Sequence, residues 1–195
     1  MKNTYIVIGV VVIIAILGFV FSKKGVQPNV TQNQMEENEN KVAGPIESGD
    51  YTLESEASSV QAKAQYLTGE SEVKNLSIQS GSFSVVDGVV ATATAVISIG
   101  EDGKTAVFSL KTFEPLSNYS TSPSIDPNRY VVSGDLTANG IKVTVSFPVT
   151  IVNNLDGSVS MKSFFALNKS YWGFTTERDI KDAVEITLDL KAVKE

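Results

Sequence analysis

The sequence predicts an all-β domain of antiparallel strands, an up-and-down barrel or a sandwich, carried behind one N-terminal transmembrane helix and a flexible tether. Three observations lead there. The first is alternation: in IKVTVSFPVTI, Ile141, Val143, Val145, Phe147, Val149 and Ile151 share one parity, while Lys142, Thr144, Ser146, Pro148 and Thr150 take the other. Successive side chains of a strand point to opposite faces, so this run has one apolar face, and a one-residue slip would put that whole row in water. The second is punctuation: Asp87-Gly88, Asp102-Gly103, Asn139-Gly140 and Asp156-Gly157 each separate two strand-like runs. Such dipeptides supply the positive φ angles of tight hairpin turns. The third is an uncharged, mostly apolar run at residues 5–21, with Lys2 before it and Lys23-Lys24 after it.

That run, at 1.5 Å per residue, reaches roughly 25 Å, enough for a thin hydrocarbon core. It is long for the apolar core of a secretory signal and no small-residue cleavage site follows, so residues 1–24 are read as an uncleaved membrane anchor. Residues 25–49 are rich in Asn, Gln and Glu and lack aromatics. Such a segment cannot bury enough apolar area to offset its ordering entropy and is read as a disordered polar linker. The domain proper is assigned to residues 50–195. Strands are expected at 51–54, 59–67, 76–86, 89–99 and 104–110, with a proline-containing loop over 114–128. The hairpin around Asn139-Gly140 follows, then strands at 157–168 and 183–193 and a short turn over 176–182. Eight or so antiparallel strands in sequence suit an up-and-down barrel or a sandwich, and closing a barrel would remove exposed edges. Val184, Ile186, Leu188 and Leu190 form the apolar row of the last strand. Val159, Met161, Phe165 and Leu167 form that of the strand before it, with Phe164 on the opposite parity. Ala91, Ala93 and Ala95 share a parity, as do Ala62 and Ala64. Facing inward, they would either widen the interior or meet bulky partners.

Composition narrows the function. The formal net charge is -6, and only Arg129 and Arg178 are arginines. Nucleic acid, whose phosphates call for basic patches, is therefore not an expected partner. The chain has no cysteine and no histidine, which excludes disulfides and thiolate chemistry and removes the commonest general base and metal ligand. The acidic groups Glu101-Asp102 and Glu177/Asp179/Asp182 sit locally in turns and do not face each other across a cleft as hydrolytic pairs must. The expectation is a binding protein, not an enzyme, with no cofactor and no metal.

Five segments carry a likeness. YTLESEASSV opens the domain with a turn leading to Ser-Ser-Val; LSIQSGSFSVVDGVVATATAVISI is a Phe/Gly-marked hairpin with a long alternating strand. VVSGDLTANGIKVTVSFPVTI contains V-x-G-x-L-T-x-x-G, LNKSYWGF follows it, and DAVEITLDLKAVKE closes the chain. In this order they resemble the YceI-like polyisoprenoid-binding proteins of bacteria. Asn139 stands where the family usually has His, Lys169 stands where it has Arg, and residues 111–129 are rebuilt with prolines. The resemblance implies a lipocalin-like barrel whose long apolar cavity takes an isoprenoid or similar lipid chain, and export from the cytoplasm.

On that reading the expected function is a membrane-anchored, extracytoplasmic domain binding an isoprenoid or other long-chain lipid as a carrier or store. Val143, Val145, Phe147, Val149, Phe165, Trp172, Ile186 and Leu188 are the expected cavity-wall residues. Lys169 and Arg178 are candidates for contact with a polar head group. The alternative is a cell-surface interaction module with a filled barrel or sandwich, binding a protein or envelope polymer through the 114–128 loop. The sequence leaves dimerisation open. What separates the two functions is cavity volume, which residue sizes set but a sequence does not display.

Overall fold

A computed structural model describes residues 41–42, 46–99, 103–119, 126–174 and 180–195. The expected anchor at 5–21, nearly all of the linker, Glu101-Asp102, Glu177, Arg178 and Asp179 lie outside the described residues. Eleven strand segments follow in order: β1 (Lys41–Val42), β2 (Gly49–Leu53), β3 (Ser59–Tyr66), β4 (Ser71–Leu76), β5 (Ile78–Val86), β6 (Val89–Ser98), β7 (Thr105–Pro115), β8 (Arg129–Ala138), β9 (Ile141–Asn154), β10 (Val159–Asn168) and β11 (Ile180–Lys194). All pairings of the barrel wall are antiparallel.

The wall has eight strands and is a barrel, not a sandwich. A 3₁₀ turn at Ser55–Ala57 interrupts the first wall strand between β2 and β3, and Ser77 interrupts the second between β4 and β5. From there the chain meanders through β6, β7, β8, β9, β10 and β11, each pairing with the one before. Closure comes from β11, which pairs with β10 on one side and with β2 and β3 on the other. No α-helix occurs among the described residues.

Turn chemistry explains the connections. Asp87 and Asn139 both have φ 51°, and the glycines after them are also positive, so each dipeptide makes a two-residue turn with both central residues left-handed. At Asp156-Gly157 only the glycine is positive, with φ 79°. Here Gly157 N–H donates to the Asn154 carbonyl at 3.0 Å and Asn154 N–H to Ser158 at 2.9 Å, closing a three-residue loop. Residues 67–69 make the same loop, with Gly69 N–H to Tyr66 O at 3.0 Å.

Three strand boundaries differ from the sequence reading. β4 begins at Ser71, not at 76, and its polar SEVKN has no apolar row because β3 is its sole strand partner and only Leu76 reaches the interior. β7 runs through Glu114 and Pro115 before a 3₁₀ turn at Leu116–Tyr119, so the first part of the expected 114–128 loop is strand and turn, and residues 120–125 lie outside the described residues. β11 begins at Ile180, which absorbs the end of the expected 176–182 turn. The irregular register between Ile180 and Val184 is what hides it from an alternation test.

Candidate functional site: an apolar cavity along the barrel

The inner rows of all eight wall strands surround one cavity of about 230 Å³. Among its lining residues only Ser82 and Thr94 have polar side chains, and none is charged. At roughly 10–15 Å³ for each water-sized site, it offers on the order of 15–20 such sites, and a methylene is about as large as a water. The space is therefore large enough for a hydrocarbon group of about that many carbons, and its lining suits an apolar one.

One side of the wall is a relay of rings. Phe108 on β7 lies 5.8 Å from Phe147 on β9, tilted at 56°, and Phe147 stacks on Phe165 of β10 at 4.3 Å. β8 lies between β7 and β9, and Phe108 reaches Phe147 because β8 carries Gly134 at the crossing. A Cβ there would stand 2.5 Å from Phe108 Cζ. This is the physical reason for the glycine of V-x-G-x-L-T. The alanines do two things at once. Ala93 pairs with Phe83 and Ala95 with Phe108, and both alanines also line the cavity. Ala91 instead is exposed, and Ala62 and Ala64 are buried off the cavity wall.

Toward each end of the barrel lies a buried aromatic group, off the cavity lining, that is also hydrogen-bonded. At one end Tyr51 stacks on Phe83 at 4.8 Å with nearly parallel rings, and its hydroxyl donates to the Glu47 carbonyl at 3.0 Å. Burial pushes the Tyr51 phenol above its ordinary pKa, so it stays neutral and donating. At the other end the 3₁₀ turn Lys169–Trp172 swings Trp172 over the hairpin of β8 and β9. Its Nε1–H donates to Leu136 O at 3.0 Å, and Asn139 Nδ2 donates to Trp172 O at 3.1 Å.

Of the sequence-predicted wall residues, Val145, Phe147, Val149, Phe165, Ile186 and Leu188 face the cavity. Val143 and Trp172 do not. They pack in a cluster with Ala106, Ala138 and Val145 that backs onto the cavity-lining Phe108, Phe147 and Leu167. Phe164, on the opposite parity from Phe165, points outward and is 62% exposed. Lys169 is not free to meet a head group: its Nζ donates to the carbonyls of Lys181 at 2.7 Å and Ile180 at 3.5 Å. Burial lowers its pKa, with Asp182 acting in the opposite sense. Asp182 itself accepts from the Ser170 hydroxyl at 2.6 Å and backbone N–H at 2.9 Å, a structural pairing.

Sequence reasoning missed the half of the wall on β5 to β8, including Phe83, Ile97, Phe108, Leu110 and Phe113. The parity shared by Ala93, Ala95, Ile97 and Ile99 could have found β6. On β7 a bulge between Leu110 and Thr112 shifts the register, so Phe113 faces inward although its parity is opposite to that of Phe108.

A family model of the YceI-like domain matches residues 51–192. The chain belongs to the YceI-like family. Among solved structures, this YceI-like domain is similar to BcnA of Burkholderia cenocepacia, at 20% identity and a TM-score of 0.53, over 72% of this chain and 99% of that one. It is also similar to a polyisoprenoid binding domain from Saccharophagus degradans, at 11% identity and 0.49, over 74% and 98%. A third likeness, to a mutant CJ YCEI protein, stands at 12% identity and 0.45, over 91% and 96%. No curated protein matches the YceI-like chain in sequence.

Proposed function

We propose that the domain holds the hydrocarbon chain of a single lipid, of the isoprenoid class, inside its barrel and so carries or stores it in water. The observation that carries this reading is the cavity: about 230 Å³ lined by a wall with no charged side chain. Membership in the YceI-like family supports the isoprenoid class. At about 0.8 kcal/mol per buried methylene, a chain of roughly 15 carbons supplies about 12 kcal/mol. Association costs are of order 4–15 kcal/mol, so retention should rise steeply with chain length up to what the cavity holds. A filled barrel acting only through its surface loops is disfavoured by the same cavity. The reading also places the domain outside the cytoplasm, tethered to the membrane by residues 5–21; the run of apolar residues between lysines supports that. Recovery of the chain from membranes only with detergent, and not with alkaline carbonate, tests the tether.

The direct test is native mass spectrometry of the full chain purified from membranes in mild detergent, followed by organic extraction of the bound mass. The expected result is one added mass that extracts as a long-chain lipid. Ala95→Phe, which projects a ring into the cavity beside Phe108, is expected to abolish that mass while leaving the circular dichroism spectrum unchanged. A wild-type protein free of added lipid, and unresponsive to supplied polyprenols, would refute the reading.

A further inference from the structure

The barrel wall is not uniformly zipped. β9 and β10 share only four residue pairs, from Val159↔Asn153 to Lys162↔Thr150. Beyond these, residues 141–149 of β9 and 163–168 of β10 face each other without a backbone ladder. Both strands stay fully paired on their other sides: β9 with β8 from Ile141 to Thr150, and β10 with β11 through Asn168↔Ala183. The unzipped stretch of β10 is six residues, roughly 20 Å at the strand rise. Pro148 accounts for where the ladder stops. The N and C=O of one strand residue point to the same side, and the Pro148 carbonyl points to β10, where it accepts from the Ser163 hydroxyl at 2.5 Å. The donor that proline lacks is therefore the one β10 would need. Ser163, an almost fully buried hydroxyl in an otherwise apolar row, substitutes for it.

What fills this seam is side chain. The stack of Phe147 on Phe165 spans it, and both rings line the cavity. We infer that the seam between β9 and β10 is the lateral portal through which the chain loads and leaves, with Phe147 and Phe165 as the rings that part. The inference rests on the lipid-binding reading above. Trp172 and Tyr51 are held harder than the two rings of the seam. Moving Trp172 would break both of its hydrogen bonds, and moving Tyr51 would break its bond to Glu47 O and its stack on Phe83. Among the described residues, opening the seam breaks the bond from Ser163 to Pro148 O and rotates two rings that already border the cavity. Lateral opening also lets a long chain move in sideways along its length instead of being threaded end first.

The chain has no cysteine, so a pair introduced across the seam is labelled uniquely. Ser146 and Ala166 are exposed and flank the ring stack on the outer face. In the full-length Ser146→Cys/Ala166→Cys protein, a short reducible bis-thiol linker would tie β9 to β10. Lys162→Cys/Asp189→Cys, across the fully zipped β10–β11 ladder, is the control. The probe is a dansyl-labelled farnesyl chain, read by energy transfer from Trp172, the one tryptophan. The expected result is that bridging the seam slows both uptake and release at least tenfold, that reduction restores the rates, and that the control bridge changes neither. The equilibrium affinity should stay within a few-fold, because the cavity wall is intact. Unchanged rates with the seam bridged would overturn the portal while leaving lipid binding in place. An unbridged protein that takes up no probe would instead overturn lipid binding, and the portal with it.

Discussion

Gly134 offers the sharpest test of how the wall is built. In Gly134→Ala the new methyl would lie 2.5 Å from Phe108 Cζ, 2.6 Å from Phe108 Cε2 and 2.5 Å from Ser109 O. Ordinary contacts between carbons are about 3.5–4.0 Å, so each overlap is about 1 Å. The ring can yield, because the cavity lies beside it. The Ser109 carbonyl cannot, because it belongs to the β7 backbone across from β8. Replacing glycine by alanine also restricts the unfolded chain, a gain of about 0.4–1 kcal/mol when the native backbone accepts it. Overpacking costs about 1–3 kcal/mol, and a backbone obstacle puts this site at the upper end. The net expectation is a loss of about 2 kcal/mol, which for a domain of this size lowers Tm by about 4–8 °C. Denaturant and thermal unfolding of the full chain, followed by circular dichroism, measure it. In a double-mutant cycle, Gly134→Ala should cost less in a Phe108→Ala background than in the wild type, by the part due to the ring, while the part due to the carbonyl remains. A Gly134→Ala protein as stable as wild type would refute the argument that this glycine exists to let Phe108 cross β8.

Trp172→Phe keeps an aromatic ring but loses the pyrrole half of the indole with the bond from Nε1 to Leu136 O, and should cost at least about 1–3 kcal/mol in a denaturant titration read by circular dichroism. An unchanged midpoint would mean that neither the bond nor the lost packing holds the turn over the hairpin. Asp135 carries a pH prediction. The hydrogen bond from Lys111, at 2.6 Å, and then that from Thr144, at 2.8 Å, hold its carboxyl below its ordinary value of 3.8. Because the folded pKa is the depressed one, the contribution is present above the unfolded value and is lost as pH falls from there through the folded value. Carbon-detected NMR titration should place Asp135 below 3.8, and Asp135→Asn should flatten the acid limb of the stability profile. A midpoint for Asp135 at or above the ordinary value would contradict the ion pair.

Much of this architecture is local, and that part was legible in the sequence. Alternation in 141–151 requires a strand with one apolar face whatever it packs against, and the structure puts Val145, Val149 and Ile151 in the buried core. Asp87-Gly88 and Asn139-Gly140 determine their turns because few other residues accept positive φ twice in succession. The five motifs identify the family for the same reason, since each records a constraint within a short stretch. What the tertiary structure alone decided depends on which strands meet. Barrel and sandwich share the same strands and differ only in whether β11 pairs back onto β2 and β3. The cavity exists because Ala93, Ala95 and Gly134 fall beside aromatic rings of neighbouring strands, a matter of register between segments and not of their composition. Trp172 has the side chain of a cavity wall in the sequence, but the short turn after β10 carries it behind the lining, where it packs against Val145 and the rings of the wall. Pro148 is an ordinary polar-face residue of an alternating run until its carbonyl meets Ser163 and the ladder to β10 stops. Periodicity reports what each strand presents. Only pairing decides what it is presented to, because hydrogen-bond register between distant segments is set by the closure of the whole wall.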